Sequence, residues 1–260
     1  MREHGVKHMN RWNRWLLGSV WIGWAVVAGV ARATTWGEAT LTDPLTGEKI
    51  AARTIMSFGS YIYEWPSKYD LVFWPMTDEN FIVLNPANGY AAFNDEFEKL
   101  APEEIEKLKE WLPRNYDPER RPKTHLEKLA WLERVYEQRQ MKPDFWRRFY
   151  CLMAYMLRDD AERSLSYVKK ALPLLEAELE AGPEGVARLE VLFLLGEYHR
   201  RLGDNEKARA FFGEVRRTPF TDKDGKTRSG HPYFVGLVRE REKLIPPPTP
   251  APASESAPAP

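Results

Sequence analysis

The side chains that could carry out acid–base, nucleophilic or metal chemistry are few and scattered along the sequence. Beyond residue 33 there are three histidines, His125, His199 and His231, and the whole chain has one cysteine, Cys151. The sequence contains no G-x-S-x-G, H-E-x-x-H, G-x-G-x-x-G, C-x-x-C or Walker A segment. No spacing brings the three histidines together. We therefore predict a protein that is not an enzyme and that holds no cofactor.

Two features could suggest calcium or thiol chemistry, and both have simpler interpretations. The segment 222–225, DKDG, begins like a calcium-binding loop, but its glycine falls two positions early and no glutamate stands at position twelve. A solvated turn is the better prediction. Cys151 lies in RRFYCLMAYML, on an apolar helix face, which predicts a buried thiol without a disulfide partner.

The region before the helices is rich in aromatic and β-branched residues. They form short runs bounded by prolines, such as 69–74 and 81–84, which predict strands of a small antiparallel sheet. Two turns there share the pattern x-Pro-x-x-Gly: Asp43–Gly47 and Asn85–Gly89. In such a turn the first side chain can accept a hydrogen bond from the backbone two residues on, and the glycine supplies a positive φ.

The second turn opens the segment Asn85–Phe93, NPANGYAAF, which resembles the Cys-Pro-x-Cys-Gly-Tyr-Ala-Ala-Phe segment of an uncharacterised bacterial family. That family pairs two zinc-ribbon-like knuckles with C-terminal helices of the tetratricopeptide (TPR) type. The resemblance implies four cysteines at positions that this chain fills with Asp43, Thr46, Asn85 and Asn88. Carboxylate, hydroxyl and amide groups bind zinc poorly, so we predict knuckle-shaped turns without a metal. A hard-cation site at these positions is the alternative, disfavoured because it has one carboxylate.

Residues 189–217 predict two antiparallel helices that meet at Gly203-Asp204. Their spacing resembles a TPR hairpin, in which small residues let the helices approach closely; here these are Gly196 and Ala208. Gly203 can take the left-handed conformation that ends a helix, and Asp204 can cap the next one. An earlier copy, 44 residues upstream, starts near Asp144 and turns at Asp159-Asp160. Helices at 103–112, 124–140 and 233–244 are expected to cap the stack.

Both ends of the chain have their own compositions. Residues 1–33 combine basic residues, the apolar run 15–31 and Ala31-Arg32-Ala33, which predicts a secretory signal peptide and export to the periplasm or the medium. The alternative is an uncleaved membrane anchor. Residues 245–260 are rich in proline and predict a disordered tail.

The predicted fold class is therefore α+β. A small antiparallel β region that resembles a degenerate zinc ribbon spans residues 34–95, and a TPR-like helical array spans 96–244. The chain after residue 33 has 33 basic and 37 acidic residues, which argues against a nucleic-acid partner.

The predicted function is an exported interaction module for a protein or peptide partner. The inner faces of the first helix of each hairpin would form a groove lined by Trp146, Phe149, Met153, Phe193, Glu197, Arg200 and Arg201. Arginines there could bind a carboxylate, and aromatic rings could anchor apolar side chains. Alternatively, the aromatic residues pack on the N-terminal strands and the arginines are solvated. A self-associating structural protein of the cell envelope and a metal-dependent activity are the other two hypotheses.

Overall fold

The protein has an α+β fold in which small antiparallel strand pairs precede a helical array, as predicted. The computed structural model describes residues 35–57, 73–221 and 224–247. The predicted signal peptide, most of the run 69–74 and most of the proline-rich tail lie outside these residues. No helix among the described residues is long and apolar enough to cross a membrane.

The described part of the N-terminal region contains two strand pairs, and each is closed by one of the two x-Pro-x-x-Gly turns. Strands β1 (Thr35–Thr42) and β2 (Lys49–Ser57) flank the first turn. Strands β3 (Ile82–Leu84) and β4 (Ala91–Phe93) flank the second. The strand predicted over 81–84 is confirmed. The strand predicted over 69–74 is wrong at Phe73 and Trp74, where the chain forms helical and turn backbone ahead of Pro75.

Seven α-helices follow within the described residues. They are α1 (Pro102–Asn115), α2 (His125–Tyr136), α3 (Pro143–Met156), α4 (Ala161–Glu180), α5 (Gly185–Arg201), α6 (Asn205–Arg217) and α7 (Pro232–Glu242). A short strand pair, β5 (Pro219–Thr221) with β6 (Thr227–Ser229), separates α6 from α7.

Local sequence explains where several helices begin. Thr124 accepts a hydrogen bond from the Glu127 backbone, and the Glu127 side chain accepts one from the Thr124 backbone, which makes a capping box at the start of α2. The side chains of Asp160 and Asp204 accept backbone hydrogen bonds in the first turns of α4 and α6. The predicted cap at Asp204 is confirmed.

Helices α3–α4 and α5–α6 form two antiparallel hairpins, and α5 lies at the centre of the array. Every residue of α5 from Val191 to His199 is buried, because α4, α6 and α7 all pack against it. Close approach of α5 and α6 depends on Gly196, where an added Cβ would lie 2.5 Å from the Phe212 ring. The hairpin predicted over 189–217 is confirmed.

Strands and helices share one core. The Phe93 ring of β4 lies 5.9 Å from that of Tyr136 in α2 and 6.2 Å from that of Phe149 in α3. The Tyr136 hydroxyl also accepts a hydrogen bond of 2.9 Å from the Phe93 backbone. At the other end, α7 places Phe234 against Phe193 of α5 and so covers the last hairpin, which is the capping role predicted for it.

Candidate functional site

The two x-Pro-x-x-Gly turns have the same hydrogen-bond pattern. In the first, the backbone of Leu45 donates to Asp43 Oδ1 (2.7 Å) and that of Glu48 donates to Thr46 Oγ1 (3.2 Å). Gly47 N donates to the Asp43 carbonyl at 2.8 Å, with a φ of 78° at Gly47. Each of the two side-chain oxygens therefore accepts one backbone N–H.

The second turn repeats this pattern at equivalent positions. Ala87 N donates to Asn85 Oδ1 (2.9 Å), and Tyr90 N donates to Asn88 Oδ1 (2.8 Å). Gly89 N donates to the Asn85 carbonyl at 2.9 Å, with a φ of 82° at Gly89. The two turns are thus two copies of one shape.

The Asp43 carboxylate joins the two turns. Its Oδ2 accepts hydrogen bonds from Asn85 Nδ2 (2.5 Å) and Asn88 Nδ2 (2.8 Å), so three donors, including Leu45 N, satisfy a fully buried carboxylate. Thr46 lies nearby and lines a pocket of about 380 Å³ together with Asn88. The structure therefore brings the four predicted knuckle positions together.

This arrangement does not fit a cation. Because both amide oxygens accept backbone N–H groups, Asn85 and Asn88 present N–H donors rather than lone pairs to Asp43. Among the four positions, the Asp43 carboxylate is then the one anionic ligand for a cation, and hydrogen-bond donors surround it. The described residues also hold no cluster of three or more histidine, cysteine or acidic side chains placed to bind a metal.

The second turn is fixed to the helices by two aromatic side chains. Trp131 Nε1 donates to the Gly89 carbonyl at 2.7 Å, and the Tyr116 hydroxyl donates to the Pro86 carbonyl at 3.0 Å. A Cβ at position 89 would lie 2.3 Å from the Tyr116 ring, so this turn needs glycine for space as well as for its φ.

Four of the seven predicted groove residues belong to the core. Phe149, Met153 and Phe193 are at most 2% exposed, and Glu197 is 6% exposed. Phe149 packs on β4 and Phe193 on α7, so neither ring lies on an open face. For Phe149, the alternative of packing on the N-terminal strands is what the structure shows.

The two arginines of the predicted groove have partners inside the protein. Arg200 makes two hydrogen bonds to the buried Glu197 carboxylate, at 2.7 and 2.8 Å, and Arg241 of α7 lies 3.7 Å from the same group. Arg201 donates to Ser164 Oγ at 2.6 Å. These contacts join α4, α5 and α7.

Trp146 is the predicted groove residue that belongs to a partly exposed aromatic surface. Its ring stacks on Tyr150 at 5.3 Å, and Tyr150 lies 6.2 Å from Tyr167 of α4. The Lys170 ammonium lies 5.1 Å from the Tyr150 ring and 4.8 Å from the Tyr167 ring. We call these four residues the aromatic strip.

Glu133 of α2 fixes one side of the aromatic strip. It accepts a hydrogen bond from the Tyr167 hydroxyl and pairs with Lys170 at 2.7 Å. Burial, followed by the neighbouring Glu133 carboxylate, raises the pKa of Tyr167, so this phenol stays protonated.

Of the four residues of the aromatic strip, Trp146 alone was predicted from the sequence as a binding residue. Tyr150 could have been found four residues on along the same helix, whereas Tyr167 is positioned by tertiary packing.

Four different helices hold or border the described histidines and the cysteine. His125 begins α2, His199 stacks on Phe211 at 5.5 Å, and His231 accepts a backbone hydrogen bond at the start of α7. Burial lowers the pKa of both His125 and His199. Cys151 is buried, as predicted, and its burial raises the pKa of the thiol to about 11. A thiol with that pKa is protonated at neutral pH and is a poor nucleophile.

These features define a class: a small α+β protein in which paired turns hold short strands on an array of helical hairpins. The chain belongs to DUF2225, an uncharacterised protein family conserved in bacteria, whose model matches residues 63–229. The match includes the second turn and both helical hairpins, but it begins after the first turn. No curated protein and no solved structure matches the chain.

Proposed function

We propose that this protein is an exported, non-enzymatic interaction module that binds a protein or peptide through its TPR-like helices. The repeated helical hairpin is the observation that carries the proposal. Ser164 and Val168 in α4 occupy the positions that Ala208 and Phe212 occupy in α6, and all four side chains are buried. An aspartate caps the second helix of each hairpin, and these two aspartates, Asp160 and Asp204, are 44 residues apart.

The aromatic strip supports a binding role. Partly exposed, stacked aromatic rings are over-represented at protein interfaces, because they bury much apolar area with little loss of side-chain entropy. Here α3 and α4 hold the rings, and Glu133 on α2 fixes Tyr167 and Lys170. A partner with an apolar segment flanked by an acidic group would match the rings and the Lys170 ammonium.

Affinity capture tests this proposal. The full chain with Trp146→Ala and Tyr150→Ala should lose most of the partner that crosslinked wild-type protein captures from the cell envelope. Val186→Ser is the matched control, since Val186 is 51% exposed on α5 and outside the strip. Circular dichroism checks that both variants remain folded. Equal capture by wild type and the double variant would remove the strip from the proposal.

We extend the proposal to the paired turns, which we infer to be zinc-ribbon-like knuckles whose metal site has been replaced by hydrogen bonds around Asp43. In each turn two backbone N–H groups point at the side chains where a knuckle would place sulfur. A variant with cysteine at positions 43, 46, 85 and 88 should therefore bind one Zn²⁺ per chain, measured by elemental analysis after dialysis. The variant with cysteine at 43 and 46 alone is the control, and equal zinc content in both would contradict the inference.

A further inference from the structure

A cleft of about 850 Å³ lies between the first strand pair and β3. One wall includes Ala39 and Ala52, which face each other across β1 and β2. The other wall is the strand Ile82–Leu84. Asp43 bridges the two strand pairs at one end, and Asn94 Nδ2 bridges them at the other by donating to the Arg53 carbonyl at 2.5 Å. The cleft is therefore a feature of a fixed framework.

The β3 wall offers unused backbone groups. Asn85 N donates to the Tyr90 carbonyl at 2.8 Å, so Asn85 and Tyr90 form a hydrogen-bonded pair of residues. In two antiparallel strands, hydrogen-bonded pairs alternate along the strand with non-hydrogen-bonded pairs. Leu84 is therefore at a non-hydrogen-bonded position, and its N–H and C=O point away from β4. Phe93 agrees with this alternation, because its N–H points away from β3 to the Tyr136 hydroxyl. In the described part of the chain, no group is hydrogen-bonded to the Leu84 backbone on that side.

The opposite wall offers a second such position. Asp43 N donates to the Glu48 carbonyl at 2.9 Å, and the same alternation makes the N–H and C=O of Ala51 point away from β1. The next outward-facing carbonyl on this edge, that of Arg53, is the one that Asn94 binds. Ala51 and Leu84 both line the cleft. Backbone donors and acceptors on two facing walls are what an added extended strand requires.

Charged side chains around the cleft lack ion-pair partners among the described residues. Arg53, Arg121 and Lys128 line it together with Glu38 and Glu79, and none of the five makes an ion pair within 4 Å with a described residue. Arg53 and Glu38 face each other across β1 and β2, so their charges offset each other at longer range. Among the charged residues that line the cleft, Arg121 and Lys128 then outnumber Glu79, which leaves one positive charge in excess. An anionic group would complement this side of the cleft.

We propose that this cleft binds a short extended peptide segment that carries a carboxylate. The segment adds as a strand between β2 and β3, with backbone hydrogen bonds to Ala51 and Leu84, and its carboxylate lies between Arg121 and Lys128. The carboxylate is that of an aspartate or glutamate side chain within the segment. This surface is separate from the aromatic strip, so either proposal can fail while the other stands.

Fluorescence anisotropy with the full chain tests the charge requirement. The probes are three labelled peptides: Thr-Val-Asp-Val-Thr with an amidated C-terminus, Thr-Val-Asn-Val-Thr with a free C-terminus, and the same Asn peptide amidated. The Asp peptide should bind at least tenfold more tightly than the neutral one. Tight binding of the free-C-terminus Asn peptide alone would assign the carboxylate to the C-terminus of the partner and overturn the proposal. Arg121→Glu with Lys128→Glu should weaken binding of the Asp peptide about tenfold or more. Arg114→Glu is the control, since Arg114 is exposed on α1 and outside the cleft.

Hydrogen exchange tests the strand addition without a substitution. Saturating anionic peptide should slow exchange of the Ala51 and Leu84 amides, because both amides become donors to the added strand. Leu84→Pro removes the Leu84 N–H donor without removing a hydrogen bond to β4. This variant should bind the peptide more weakly, and thermal unfolding checks that it is folded. Equal binding of the anionic and neutral peptides would overturn the proposal. So would unchanged exchange at both amides, or binding of inorganic phosphate alone with the same dependence on Arg121 and Lys128.

Discussion

At the scale of single residues, Asp43 determines how the two turns meet. It is a fully buried carboxylate with hydrogen-bond donors from three residues on both turns. A buried charge of this kind is tolerated because its hydrogen bonds replace water, and removal of the carboxylate leaves buried donors without acceptors. The side chain thus links the two turns through hydrogen bonds to both of them.

We expect Asp43→Ala to lower the free energy of unfolding by about 3–5 kcal/mol. The variant loses the carboxylate and leaves the buried Asn85 Nδ2 and the part-buried Asn88 Nδ2 without their acceptor. Urea unfolding followed by tryptophan fluorescence measures the change. Thr46→Ser is the control, because it keeps the hydroxyl that accepts from Glu48 N. A loss below about 1 kcal/mol in Asp43→Ala would show that the turns are held by other contacts.

At the scale of secondary-structure elements, the two helical hairpins depend on small residues at the helix–helix contacts. Gly196 lets the Phe212 ring lie directly on the α5 backbone. In the first hairpin the small residue is Ser164, at the position of Ala208, and its hydroxyl donates to the Ala154 carbonyl. The helices then approach closely enough to bury Val168 and Phe212 completely.

Gly196→Ala should destabilise the protein by about 1–3 kcal/mol, since the new methyl group would lie 2.5 Å from Phe212 and force α5 and α6 apart. Gly236→Ala in α7 is the matched control. No atom lies within 4 Å of the Cβ it would add, so helix propensity should make it neutral or stabilising by up to about 1 kcal/mol. Differential scanning calorimetry on both variants gives the comparison. Equal melting temperatures would mean that α5 and α6 can separate without cost.

The hairpins and turns could be predicted from sequence because their signals are local. Gly203 and Asp204 mark a helix end and the next helix start within two residues, and each x-Pro-x-x-Gly turn satisfies its own backbone. The burial of the predicted groove residues could not be inferred from local signals in the same way. Phe149 packs on Phe93 of β4 and Phe193 on Phe234 of α7, and each partner lies more than 40 residues away in sequence. The pairing of Tyr167 with Glu133 is likewise set by the packing of three helices.

At the scale of the whole molecule, strands and helices form one folded body. Phe93 and Tyr136 link β4 to α2, and Trp131 links α2 to the second turn. The ion pairs of Glu197 with Arg200 and Arg241 join α5 to α7 at the other end. A partner bound at the aromatic strip would therefore contact a surface supported by the entire core.

Stability should fall as the pH is lowered from about 7 to about 5. Burial lowers the pKa of His125 and His199 below the ordinary value of about 6.5, so the unfolded chain takes up protons at a higher pH than the folded one. The contribution of the two histidines to the free energy of unfolding is fully present above a pH of about 6.5 and decreases below it. Burial raises the pKa of Glu190, which acts in the opposite direction.

Urea unfolding at pH 8, 7, 6 and 5 measures this dependence. The double variant His125→Gln, His199→Gln keeps Glu190 and should show a flatter profile, so the difference between the two proteins isolates the histidines. Parallel profiles for wild type and the double variant would contradict the assignment.

Site-specific photo-crosslinking tests the central functional claim most directly. Tyr150 of the full chain is replaced by a photoreactive benzophenone amino acid in living bacterial cells, and Val186 is replaced in a second variant. Because Tyr150 lies in the aromatic strip and Val186 lies outside it, we predict a protein adduct from position 150 and none from position 186. An adduct from position 186 with none from position 150 would contradict the account.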